Sequence, residues 1–169
     1  HFLGSMIPGL HFRHVYKRYY PQGEVTTQLL GITNIDGHGI EGLEWVFNNH
    51  LSGLPGMLIK QMNGRKETID RLIIKHGKAP KPLMLTLDHR IQYIAYRALK
   101  DGVEKTKAES GSAIIISPQG EILSLVNVPS IDPNRLTTSN TAFSLLKNRA
   151  VTDLFEPGST IKPVSLANI

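Results

Sequence analysis

Six apolar residues at helical spacing, Ile91, Ile94, Ala95, Ala98, Leu99 and Val103, constrain this chain more than any other feature. They form a stripe over about four turns, and such a stripe has to be buried against another element. Asp88 stands just ahead of it, where a carboxylate can accept the free backbone N–H groups of a first turn. Ser110-Gly111 is the predicted end. A partner for the stripe follows at once. Ala113-Ile114-Ile115-Ile116 and Ile122-Leu123-Ser124-Leu125-Val126 are β-branched, apolar runs joined by Pro118-Gln119-Gly120. That pattern predicts an antiparallel hairpin. A helix and a hairpin in one continuous stretch predict an α+β fold.

The chain upstream is less regular. Arg18-Tyr19-Tyr20-Pro21 reads as extended chain entering a turn, because the residue before proline avoids the helical region. Gly31 to Gly39 is a glycine-spaced loop without the Gly-Lys-Ser/Thr of a phosphate cradle. Ile40, Leu43, Phe47 and Leu51 predict a helix over 40–51, closed by Gly53. Glu41 and Glu44 are either a paired carboxylate site or, more commonly, first-turn acids that favour a helix N-terminus. Asn63-Gly64 predicts a hairpin over Met57 to Lys66. Lys78-Ala79-Pro80-Lys81-Pro82 reads as a linker, so the chain divides into residues 1–82 and 83–169. Leu83 to Leu87 is a strand candidate.

Downstream of the hairpin, Pro129 to Thr138 is loop, and Asn140 to Leu154 leads through a helical segment to Phe155-Glu156-Pro157-Gly158-Ser159-Thr160-Ile161-Lys162-Pro163. A Pro-Gly turn followed by serine is a helix opener, and Pro163 is tolerated in a first turn. Residues i and i+3 share a helix face, so Ser159 and Lys162 would stand side by side. A serine hydroxyl is a weak nucleophile that needs a neighbouring base, and a lysine serves when burial or nearby cations favour its neutral form. Ser-x-x-Lys is nevertheless short. A capping serine followed by a solvated lysine is the commoner meaning of the same four residues, so the surrounding sequence has to decide.

Several classes fall away on composition. There are no cysteines, which excludes disulfides, thiolate metal sites and cysteine nucleophiles. No run approaches the roughly 18 apolar residues of a membrane span. The net charge is +5, with basic residues gathered at Arg13, Lys17 and Arg18 and at Lys75, Lys78 and Lys81. With few aromatics and no nucleic-acid motif, these read as a solvated basic face, and no nucleic-acid partner is predicted. His11 and His14 are three apart but lack a further ligand at metal spacing, so neither a metal nor a cofactor is predicted.

Several segments, taken in order, resemble one family. They are Arg18-Tyr19-Tyr20-Pro21-x-Gly23-Glu24, Leu30-Gly31, Gly39-Ile40-Glu41-Gly42-Leu43-Glu44, and Leu51-Ser52-Gly53-x-x-Gly56. Next come Leu85-Thr86-Leu87-Asp88-x-x-Ile91-Gln92, Ser112-Ala113, Gly120-Glu121-Ile122-Leu123 and Asn127-x-Pro129-Ser130. The last is Asn148-Arg149-Ala150-x-x-Asp153-x-Phe155-Glu156-Pro157-Gly158-Ser159-Thr160-x-Lys162-Pro163. Together they resemble the class B penicillin-binding proteins, and within that family the cell-division transpeptidases, over nearly the whole chain.

The resemblance implies a pedestal over 1–82, extended and β-rich with a short helix. Residues 83–169 would then be the N-terminal part of the penicillin-binding transpeptidase domain, a truncated, β-lactamase-like α/β sandwich half. It implies a serine D,D-transpeptidase of peptidoglycan synthesis on the periplasmic side of the bacterial inner membrane, with a single-pass anchor that this chain lacks. By the same resemblance Ser159 would be acylated by D-Ala-D-Ala stem peptides or by β-lactam antibiotics, with Lys162 as general base. Division membrane proteins would be partners. The family also needs a later Ser-x-Asn and a later Lys-Ser/Thr-Gly, and neither follows Lys162. Ser139-Asn140 lies upstream and lacks the spacing. The chain is therefore expected to be a fragment without activity of its own. A non-catalytic pedestal that binds division partners is the alternative; a serine β-lactamase, which shares Ser-x-x-Lys, fits the pedestal motifs poorly.

Overall fold

The computed structural model describes residues 17–65, 67–136 and 143–167. Arg13, the histidines His11 and His14, and Ser139-Asn140 lie outside them. In chain order the elements are α1 (Thr27–Leu30), α2 (Gly42–Val46), α3 (Asn48–Leu51), β1 (Met57–Met62), β2 (Thr68–Lys75), α4 (His89–Thr106), β3 (Gly111–Ile116), β4 (Ile122–Val128), α5 (Arg149–Thr152) and α6 (Lys162–Leu166). Short 3-10 turns occur at Gly23–Val25, Pro133–Arg135 and Gly158–Ile161.

Helix α4 begins where its sequence predicts. The Asp88 carboxylate accepts the N–H groups of Arg90 at 2.8 Å and Ile91 at 3.2 Å. Those two donors hold the carboxyl below the usual aspartate range. The helix ends earlier than Ser110-Gly111: Lys107 takes a left-handed conformation at φ 55°, and Gly111 already belongs to β3. The buried face also differs from the predicted stripe. Ala95, Leu99 and Val103 do pack inward, but Gln92 and Tyr96 are the buried residues of the helix, while Ile94 is 67% exposed.

Strands β3 and β4 pair antiparallel from Gly111↔Val128 to Ile116↔Ile122. Gly120, at φ 90°, closes the turn between them. Ser124 to Val128 are buried without interruption, so both faces of β4 are covered. Val126 and Val128 meet Tyr96 of α4 and Val25 in one cluster. Neighbouring strand residues point to opposite faces, which turns Asn127 toward α5.

The N-terminal segment is strapped across this unit by polar contacts. Asn134 accepts the Tyr20 N–H at 3.0 Å and donates to the Tyr20 carbonyl at 2.9 Å. The Thr27 hydroxyl donates to the Ile131 carbonyl, and the Gln28 amide donates to those of Pro129 and Leu145. Gln92 is the central tie. Its amide nitrogen donates to the Val25 and Leu125 carbonyls at 2.8 Å each, and its oxygen accepts from the Ser124 hydroxyl at 3.0 Å and the Leu125 N–H at 2.9 Å. Gln92→Leu keeps the volume and strands these buried partners. At ~1–3 kcal/mol for each orphaned group, with incomplete additivity, urea unfolding should show a loss of about 3–5 kcal/mol. A loss below about 1 kcal/mol would remove Gln92 from this role.

On the two sides of the linker the predictions need three corrections. The helix over 40–51 is split into α2 and α3 at Phe47, whose φ of −102° and ψ of 21° leave the helical range. The hairpin turns at Asn63-Gly64, but its second strand is β2, well beyond Lys66; Lys66 itself lies outside the described residues. Leu83 to Leu87 is not a strand. Only Thr86 and Asp88 bond to β4, at the carbonyls of Ile122 and Leu123. Gly31 and Gly42 press backbone against backbone, which joins α1 to α2. The β1–β2 ribbon, by contrast, is exposed at every residue.

Candidate active site

Ser159 and Lys162 fall on one helical run. Ser159 lies in the 3-10 turn Gly158–Ile161, and Lys162 is the first residue of α6, three positions on. Gly158 opens the turn at φ 53°, and the Thr160 hydroxyl donates to the Pro157 carbonyl. Pro163 sits at the start of α6, where its missing N–H has no partner to lose. The Lys162 N–H reaches back to the Ser159 carbonyl. Both side chains are exposed, and neither makes a hydrogen bond or ion pair with another described residue.

The run is delivered by a segment clamped to β4. Asn127, 2% exposed, accepts the Ser112 hydroxyl and the Ala150 N–H, each at 2.8 Å, and donates to the Asn148 side-chain oxygen at 3.0 Å. Asp153 closes the far end of α5. Its carboxylate pairs with Lys147 and with Arg149, the latter at 3.2 Å, and its N–H bonds the Arg149 carbonyl at 3.0 Å. The Lys147 contact, helped by Arg149, holds the Asp153 carboxyl below the usual range. A depressed folded-state pKa means that the pairing contributes above the unfolded value of ~3.9 and is lost as pH falls through the folded one. Carboxyl carbon shifts should give Asp153 a midpoint below ~3.9, moved upward by Lys147→Ala. A midpoint that ignores Lys147→Ala would contradict the clamp.

Beyond Asp153, the hydrogen bonds that residues 154–167 make with other described residues stay within that segment. Phe155 still lines a groove of about 410 Å³ beside Ser110 to Ile114, so the segment runs along the β3 edge. The contacts of Asn127 and Asp153 were not foreseen from sequence. Their signal was a polar asparagine inside an apolar strand run and two cations, Lys147 and Arg149, shortly ahead of one aspartate.

The other candidate positions have structural duties. Glu44 pairs with Arg18 at 2.9 Å, and Glu41 precedes α2 in extended conformation, so the two acids do not form a carboxylate pair. Lys75, Lys78 and Lys81 are exposed. Among the described residues no group of three or more metal-ligating side chains converges. No helix among them is long and apolar enough to cross a membrane.

Residues 111–168 match the family model of the penicillin-binding protein transpeptidase domain. The chain is 43% identical over 159 residues to the peptidoglycan D,D-transpeptidase FtsI of Escherichia coli K12, covering 94% of the chain and 27% of that protein. It is 44% identical over 163 residues to a probable peptidoglycan D,D-transpeptidase, PbpC, of Pseudomonas aeruginosa, covering 95% of the chain and 28% of that protein. The crystal structure of penicillin-binding protein 3 from Mycobacterium tuberculosis superposes with a TM-score of 0.73 at 28% identity, over 88% of this chain and 30% of that one. A peptidoglycan synthetase from Bifidobacterium adolescentis gives 0.72 at 26% identity, over 90% of this chain and 28% of that one. Motifs, fold and relatives agree: this chain is a class B penicillin-binding protein segment similar to FtsI and penicillin-binding protein 3, spanning about 27% of FtsI's length.

Proposed function

We propose that this chain is part of a peptidoglycan D,D-transpeptidase of bacterial cell division, with Ser159 as acyl-ester nucleophile and Lys162 as general base. The observation that carries the reading is the placement of Ser159 and Lys162 at i and i+3 of one helical run, inside the stretch that matches the transpeptidase domain. The Ser159 hydroxyl attacks the carbonyl between two terminal D-alanines, Lys162 takes its proton, and the last D-alanine leaves. An amine from a neighbouring stem peptide then resolves the ester and forms the crosslink. β-Lactams enter by the same attack and remain as slow esters. Both side chains are exposed here and make no hydrogen bond with another described residue, and residues 1–169 alone are proposed to be inactive.

The setting follows from the same reading: residues 1–82 as pedestal, residues 83–169 as the opening of the transpeptidase domain, and the periplasmic face of the inner membrane as its place of work. The exposed β1–β2 ribbon, with Leu58, Ile59, Leu72 and Ile73 uncovered, favours a second role for the pedestal as a surface for division membrane proteins. The experiment is release of D-alanine from a stem pentapeptide ending in D-Ala-D-Ala, measured with the full-length protein. Release blocked by benzylpenicillin is the expected result. Absence of release, or rapid penicillin hydrolysis as in a β-lactamase, overturns the reading.

A further inference from the structure

We infer that Asn127 and Asn148 are positioning residues for acylation, which fix the segment carrying Ser159 against β4. The inference rests on the reading of Ser159 as nucleophile and adds residues that act on it from a distance. Asn127 is a polar side chain on a strand whose last five residues are all buried. A valine or leucine there would satisfy the packing, so the amide is present for its hydrogen bonds. It makes three of them, and two lead to the segment ahead of the serine: Ala150 N–H to Asn127 Oδ1 at 2.8 Å and Asn127 Nδ2 to Asn148 Oδ1 at 3.0 Å. The third, from Ser112, holds the amide in orientation at 2.8 Å.

Asn148 shows the same economy. It occupies the N-cap position of α5, yet its side chain caps nothing. Its oxygen is given to Asn127 instead. Among the described residues these bonds are the last polar ties to β4 before Ser159, and the Asp153 ion pairs with Lys147 and Arg149 brace the segment within itself. The path from Asp153 to Ser159 is six residues and ends in the Pro157-Gly158 turn, where the Thr160 N–H and hydroxyl both bond the Pro157 carbonyl. A displacement on the order of 1 Å at a nucleophile costs up to about a hundredfold in rate. The clamp therefore acts on the acylation step and spares binding of the β-lactam.

The test uses the full-length protein and nitrocefin, with the acylation rate constant k2 and the pre-acylation dissociation constant resolved by stopped flow. Asn148→Ala removes only the outer link and should lower k2 roughly three- to tenfold, with the dissociation constant unchanged. Asn148→Asp keeps an acceptor for the Asn127 amide on a half-exposed residue and should restore k2 to within about twofold. Asn127→Leu removes all three bonds and should lower k2 by about ten- to a hundredfold. If Asn127→Leu fails to fold, the Asn148 pair decides alone. Wild-type k2 in Asn148→Ala, or equal slowing in Asn148→Ala and Asn148→Asp, overturns the inference. A wild-type protein that forms no ester at Ser159 overturns the underlying reading, and this inference with it.

Discussion

Ser159→Ala should abolish acyl-ester formation in the full-length protein, with no measurable penicillin adduct and no D-alanine released. The expected loss is complete because alanine supplies no atom that can carry the acyl group. Lys162→Met, which keeps an unbranched side chain one atom shorter and removes the amine, should leave the hydroxyl without its base and slow acylation by about 10²–10⁴-fold. Neither change should disturb folding. Both side chains are exposed and bonded to no other described residue, so only ~0.5 kcal/mol of stability is at stake at either position. This combination, lost chemistry with retained unfolding midpoint, separates a catalytic pair from a capping serine beside a solvated lysine. Wild-type acylation of Lys162→Met would assign the base elsewhere.

Gly31→Ala should have the largest effect on folding. Gly31 sits at φ 78° and ψ −157°, a region that only glycine populates freely. A Cβ built there would lie 1.8 Å from the Glu41 carbonyl oxygen and 2.2 Å from its carbon. Those are backbone atoms, which cannot swing aside as a side chain can. The facing Gly42 repeats the situation, its own Cβ position lying 2.6 Å from the Gly31 nitrogen. Any side chain at Gly31 must push α1 and α2 apart, and α1 is anchored to the core through Thr27 and Gln28. Strain and lost contacts together should cost about 4 kcal/mol or more, seen in urea unfolding or as new protease cleavage between residues 31 and 52. A Gly31→Ala chain within about 1 kcal/mol of wild type would show that the approach is not obligatory.

The parts of the fold that were legible in sequence are the local ones. Asp88, the run of α4 and the β3–β4 hairpin follow from periodicity and capping within a few residues, and all three stand in the structure. What periodicity could not show is a polar residue with a core duty. Gln92 lies beside the apolar stripe and reads as surface, yet its partners are backbone atoms 67 and 33 residues away. Tyr96 was overlooked for the same reason; burial pushes its phenol upward, with Glu24 adding to the shift. Ile94 was placed inward by spacing and points to solvent, because the face of α4 is set by where Val25 and β4 lie. Long-range strapping also explains the first half of the chain. Residues 20–32 look like loop because their order comes from Pro129, Ser130, Ile131 and Asn134, about a hundred positions on.

The candidate site was legible as a spacing and not as an environment. Ser159 and Lys162 are proposed from four residues and their neighbours. The contacts that hold their segment were not legible, since Asn127 lies on β4, 21 positions before its partner Asn148.

The central claim is that Ser159 Oγ receives the acyl group, and peptide mapping tests it most directly. The full-length protein is treated with benzylpenicillin, digested and read by tandem mass spectrometry. The account predicts one stoichiometric penicilloyl adduct on the peptide containing Pro157-Gly158-Ser159-Thr160, located on Ser159 and absent from Ser159→Ala. An adduct on another residue, or an unmodified Ser159 in protein that has consumed the penicillin, would contradict it.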